Sequence, residues 1–225
     1  MRDIDWSYID KFIYINLTER KDRNLQTLQE LAALNVPEEK VCRFDARKHL
    51  SGRIGCAMSH RDAVKIAIEN KWKNVIILED DNVFDKSEAN KKAIKKLIDY
   101  LKQVKWDVTL LSAVYWDNGI KRLEGINNVI RPYFATCTNA YMINENYLQI
   151  MYDHYSDTVI KLLQGGVKEA YALDIHWMKL MQKDRWLGLY PVIGHQNAGN
   201  SDIWKGKVDF KNLFYKKLDV ITMKT

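Results

Sequence analysis

Three adjacent carboxylates, Glu79, Asp80 and Asp81, follow directly on an apolar run, Val75, Ile76, Ile77 and Leu78. A short β-branched run of this kind reads as a buried strand. Acids at the tip of such a strand sit where open α/β sheets bind ligands, beyond the carboxyl ends of their strands. Three neighbouring negative charges repel one another and require a cation nearby. A divalent metal carrying a phosphorylated substrate meets that need; a solvated acidic turn is the plainer alternative. If the strand continues, alternation sends Glu79 and Asp81 to one face and Asp80 to the other.

The segments that must position these acids alternate in kind. Phe12–Asn16 reads as a first strand, and Leu25, Leu28, Leu31, Ala32 and Leu34 recur at helical spacing before the breaker Pro37. Val41–Phe44 is a second strand, 55–70 a helix and Val75–Leu78 the third strand. Ser87 is placed to cap a helix with the apolar stripe Ile94, Leu97, Ile98, Leu101 and Val104. Lys91, Lys92, Lys95, Lys96 and Lys102 crowd its other side, and Val108–Leu111 is a fourth strand. This order predicts an α/β fold with a mixed, mostly parallel sheet and helices on both faces. Beyond it, Val129–Pro132 and Ala140–Ile143 read as short antiparallel strands. One helix is expected from a cap at Asn144 to about Tyr155, another from a cap at Asp174 to about Asp184, then a strand over Leu187–Val192. The expectation is a single domain over 1–225, with its core at about 12–203 and a polar basic tail over 204–225.

Composition narrows the classes. With 47% hydrophobic residues in 225, the chain is globular rather than disordered. Its net charge, 35 − 29 = +6, suits an anionic partner such as a nucleotide diphosphate or a membrane surface. Cys42, Cys56 and Cys137 match no zinc spacing, and an odd count argues against a disulfide framework. A reducing compartment follows. The opening residues carry acids and no apolar core, and no stretch approaches the roughly 20 apolar residues that span a bilayer. A cytoplasmic location is therefore expected.

Four segments, taken in order, carry a resemblance. They are Ile15-Asn16-Leu17 with Arg20, Asp22 and Arg23; Gly52, Ile54, Gly55, Cys56, Ser59 and His60; Leu78 to Asp81; and Tyr190 to Gln196 with Ser201, Asp202 and Ile203. Together they resemble glycosyltransferase family 25, which includes bacterial lipopolysaccharide galactosyltransferases and collagen hydroxylysine galactosyltransferases. The resemblance implies a GT-A fold, a UDP-sugar donor (usually UDP-galactose), inversion at the anomeric carbon and a divalent ion. That ion would be Mn²⁺, with Mg²⁺ the alternative. The acceptor would be a hydroxyl of a glycan, a lipid-linked glycan or a protein. Asp81 is then the metal ligand, and Glu79 and Asp80 hold the ribose or metal-bound waters. His195 is a further metal ligand, with His176 its competitor. Arg20 and Arg23 are placed to contact the diphosphate, unless they are a solvated first helical turn. Ser59 and His60 fall in the donor pocket or in a buried hydrogen-bonding role. Inversion needs a base for the acceptor hydroxyl, and Asp174 is the candidate, with Asp202 next. Thr136 to Tyr141 departs from a more Gly-rich stretch in relatives, which leaves the acceptor open.

Rival readings fit less of the sequence. Ser59 and His60 are adjacent on a helix and do not face each other, which excludes a serine hydrolase pair. Phosphoryl transfer or nuclease chemistry lacks a second acidic cluster and a Gly-rich phosphate loop. The lysines of the third predicted helix read as a solvated face rather than a nucleic-acid surface, so no nucleic-acid partner is expected. Lys205, Lys207, Lys211, Lys216 and Lys217 are placed to dock on anionic lipid. An inactive family member is opposed by the intact acids. Cys56 reads as a small core residue, and Tyr171, Trp177 and Trp186 as core aromatics before sugar platforms.

Overall fold

The computed structural model describes residues 4–201, 203 and 206–223. The first half runs β1 (Lys11–Asn16), α1 (Lys21–Ala33), β2 (Val41–Asp45), α2 (Gly52–Glu69), β3 (Val75–Glu79), β4 (Asn82–Phe84), α3 (Glu88–Leu101) and β5 (Val108–Tyr115). The second half continues with β6 (Ile120–Leu123), β7 (Val129–Pro132), β8 (Ala135–Ile143), α4 (Leu148–Leu163), α5 (Lys168–Tyr171), α6 (Leu173–His176) and α7 (Met178–Lys183). It ends with β9 (Trp186–Leu189), β10 (Gly194–Gln196), β11 (Gly199–Ser201), β12 (Gly206–Val208), α8 (Lys211–Phe214) and β13 (Ile221–Met223). Nine strands share one sheet in the order β13-β6-β7-β9-β5-β8-β3-β1-β2. Only β7 and β8 run against the rest. The mixed, mostly parallel sheet expected from the sequence is therefore present.

The sheet is buried on both faces because its strands alternate two apolar sets. Ile13 and Ile15 pack with Val75 and Ile77 under α2 and α4, while Phe12 and Tyr14 pack with Ile76 and Leu78 under α1 and α3. Ser87 caps α3 as expected, its hydroxyl accepting from the Asn90 N–H at 3.4 Å. The five lysines sit opposite the buried Ala93, Ile94, Leu97, Ile98 and Leu101 of that helix. Trp6, Trp177 and Trp186 are core residues.

Several boundaries differ from expectation. α4 continues two turns past Tyr155, because Val159 and Leu162 extend its buried stripe. The helix expected over 174–184 is two short pieces, α6 and α7. Asp174 lies inside α6 and does not cap it; its carboxylate instead accepts from the Cys137 N–H at 2.8 Å. Residues 206–223 are part of the fold rather than a tail. Phe214 is buried in the core, and β13 pairs with β6. Interspersed lysines hide that apolar pattern in the sequence.

β1, β2 and β3 are parallel and finish on one edge of the sheet. β8 enters from that edge, lying antiparallel between β3 and β5. Its pairing with β5 shifts register twice, and Cys137 takes φ 73° there, a conformation that favours glycine. The irregularity brings Thr138 beside the acids.

Candidate active site

Strand β3 stops at Glu79. Alternation places this residue on the α2 side of the sheet, with Val75 and Ile77. Its carboxylate accepts from Thr138 Oγ1 at 2.6 Å and lies 3.4 Å from His60 Nε2. His60 Nδ1 is 2.8 Å from the Tyr141 hydroxyl, which accepts from the Tyr155 hydroxyl at 3.1 Å. Asp80 and Asp81 lie in the turn to β4, so strand alternation does not govern them. One guanidinium nitrogen of Arg23 donates to both, at 2.9 Å to Asp80 and 3.1 Å to Asp81. Asn16 Nδ2 donates to Asp80 at 2.7 Å. Gln196 Nε2 donates to Asp81 Oδ2 at 3.1 Å. The other oxygen, Asp81 Oδ1, is buried and has no hydrogen-bond partner.

These surroundings separate the three carboxyls. Burial, reinforced by the charge of Glu79, pushes Asp81 up to about 7. Burial also raises Asp80, against the pull of Arg23. For Glu79 burial is outweighed by His60, Thr138 and Arg23, which hold it below the ordinary carboxylate value. The surroundings therefore favour the anion at Glu79 and favour a proton on Asp81, which a bound cation would displace.

The acids line a cleft of about 420 Å³, opposite Arg47, Lys48 and His49. The three follow β2 and are functional candidates that the sequence reading missed, Arg47 and Lys48 as cations. Their loop is latched to α2. Ser59 Oγ donates to the Gly55 carbonyl at 2.7 Å and accepts from the Arg47 N–H at 2.8 Å. A Cβ on Gly55 would stand 2.7 Å from the Arg47 carbonyl. Gly55→Ala is thus expected to displace the loop while leaving α2 intact, since alanine favours a helix. Faster amide hydrogen exchange over residues 46–50, with the amides of α2 unchanged, is the expected readout.

The structure brings together most of the residues picked out in the sequence. Glu79, Asp80, Asp81, Ser59 and His60 all line the cleft. Arg23 reaches the acids, while Arg20 forms an ion pair with Asp22 at 2.8 Å. His195 lies on β10 with Nδ1 3.1 Å from the Tyr215 hydroxyl, and its neighbour Gln196 is the residue that reaches Asp81. His176 stacks on His154 at 4.3 Å between ring centres, away from the acids. Burial raises the Asp174 carboxyl, partly offset by the Cys137 N–H. Asp202, Trp204 and Lys205 lie outside the described residues.

A hard divalent ion fits this donor set. Asp81 lines the cleft, its buried Oδ1 has no hydrogen-bond partner, and a positive charge beside it would relieve a carboxyl that burial pushes up to about 7. Asp81 would hold it directly, with Glu79 and Asp80 flanking.

The sequence matches the family model described as "Glycosyltransferase family 25 (LPS biosynthesis protein)" over residues 24–162. The chain belongs to glycosyltransferase family 25. The matched span takes in the β2–α2 loop, the three acids and the β8 irregularity, while Arg23 and Gln196 lie outside it. Human Procollagen galactosyltransferase 2 is 26% identical over 164 residues, covering 60% of this chain and 26% of that protein. The chain thus spans about a quarter of the length of this relative. Among solved structures, a glycosyltransferase involved in the glycosylation of the major capsid of PBCV-1 aligns with a TM-score of 0.52 at 8% identity. That alignment covers 87% of this chain and 95% of the other. At that identity the likeness is one of fold, and the family 25 chain has the GT-A-like α/β fold.

Proposed function

We propose that this chain is an inverting glycosyltransferase that moves a hexose from a UDP-sugar to an acceptor hydroxyl. The observation that carries the reading is the meeting of three acids and a basic loop in one cleft at the carboxyl edge of β1, β2 and β3. Galactose is the assigned sugar, supported by the name of the human relative. A glycan, lipopolysaccharide or hydroxylysine-type hydroxyl is the assigned acceptor class.

In this reading Asp81 is the ligand for Mn²⁺ or Mg²⁺, and Glu79 and Asp80 orient the ribose and bound waters. When bound, the ion neutralises charge that develops on the departing UDP. Arg47 and Lys48 are the cations we assign to the diphosphate, because both line the cleft and their ion pairs with Asp62 and Glu19 are far more exposed than the pairing of Arg23 with the two buried acids. His195 would join the metal only by turning from Tyr215, so Gln196 is the better-placed neighbour of Asp81. Asp174 is the assigned base. One of its oxygens is oriented by the Cys137 N–H, and burial raises its basicity toward the working range.

Titration calorimetry of UDP with Mn²⁺, and then with EDTA, tests the donor site. Binding that depends on the metal supports the reading. Absence of binding in both conditions would remove the metal-assisted donor site and leave a family 25 fold without its chemistry.

A further inference from the structure

We propose that Cys56, His60 and Glu79 form a second metal site, suited to Zn²⁺ and distinct from the oxygen site assigned to Asp81. Cys56 and His60 are four residues apart on α2, so both project from one face of the helix. Alternation along β3 turns Glu79 toward that same face. One ligand atom from each of the three lies within 4.8 Å of the others. On a zinc ion such atoms stand roughly 3.5 Å apart, so small side-chain rotations close the set. A fourth position is open to the cleft, which all three residues line.

A second observation points the same way. The His60 side chain is 1% exposed, yet its Nε2 has no hydrogen-bond partner. The nearest acceptor is the Glu79 carboxylate at 3.4 Å. With a metal bound, Nδ1 would carry the proton and donate to the Tyr141 oxygen, which frees the Nε2 lone pair for the ion. The tyrosine thus supplies the outer hydrogen bond that metal-bound imidazoles ordinarily make. A mixed sulfur, nitrogen and oxygen set favours zinc or cobalt over magnesium or calcium. Binding releases the Cys56 thiol proton to solvent, leaving a thiolate on the metal. Zinc would draw Glu79 away from Thr138, and so Zn²⁺ is expected to inhibit transfer. That consequence alone rests on the donor-site reading above.

The test is Co²⁺ added to the metal-free protein, followed by absorption spectroscopy and competition with Zn²⁺. A thiolate-to-cobalt charge-transfer band that titrates to one equivalent, resists excess Mg²⁺ and is abolished by Zn²⁺ is expected. Cys56→Ser should abolish the band, and His60→Gln should weaken metal binding by at least about 100-fold, beyond the usual effect of losing an outer partner. Asp81→Asn should keep the band. No thiolate band on the wild-type protein overturns the site without recourse to any variant. Loss of the band in Asp81→Asn overturns its separateness. Neither result touches metal-dependent UDP binding, so failure here and failure of the donor reading are distinguishable.

Discussion

Asp81→Asn is expected to lose metal-dependent UDP binding and to reduce transfer by about 10³-fold or more, the scale on which a preorganised charge-stabilising group acts. Asparagine keeps the shape and can still accept from Gln196 and Arg23 through its amide oxygen. What it lacks is the anionic Oδ1, the buried oxygen that has no hydrogen-bond partner. Calorimetry with and without Mn²⁺ reads the first effect and initial rates the second. Unchanged metal dependence would move the ligand role to another acid.

The same variant should be more stable than wild type when metal is absent. The folded Asp81 carboxyl titrates at about 7, above its ordinary 3.8. Between those values the folded chain holds a proton that the unfolded chain has lost, so stability falls as pH rises through this window. Asparagine has no such proton. In EDTA the melting temperature of Asp81→Asn should exceed that of wild type at about pH 8, and the gap should close toward about pH 4. A gap that instead widens on acidification would contradict the assigned shift.

Asp174→Asn is expected to leave metal-dependent UDP binding intact and to lower kcat for transfer by about 10²- to 10⁴-fold, the usual contribution of a positioned base. The amide oxygen can still accept the Cys137 N–H, so the β8 irregularity and Thr138 keep their places. Asp174→Ala removes that acceptor as well. It should destabilise the β8 segment and weaken UDP binding, which separates orientation from proton transfer. Near-full transfer by Asp174→Asn would end the base assignment.

The acids and the sheet were legible because the signal is local. A β-branched run ending in carboxylates needs no distant partner to be recognised, and Phe12–Asn16 and Val41–Phe44 lie within β1 and β2. The partners of the acids were less legible. Arg23 was read as a phosphate contact, but the side chain reaches back to Asp80 and Asp81, 57 and 58 residues away. The choice between His195 and Gln196 depends on the register of a three-residue strand, and a slip of one residue exchanges their faces. The Arg47–His49 loop owes its place to a glycine and a serine on α2, a contact that no periodicity announces. Asp174 sits at a helix start, as a cap would, yet its carboxylate serves a strand N–H 37 residues earlier.

The pairing of β13 with β6 has a consequence for how the chain is made. Ile221 meets Lys121, a separation of 100 residues. A nascent polypeptide can assemble the strands that carry the acids well before this final ladder exists. Until then β6 presents an open row of amides and carbonyls to its surroundings or to another copy of itself. The β13 residues thus act as a seal. Their amides should exchange with solvent sooner than those of β3, which lies between two neighbouring strands.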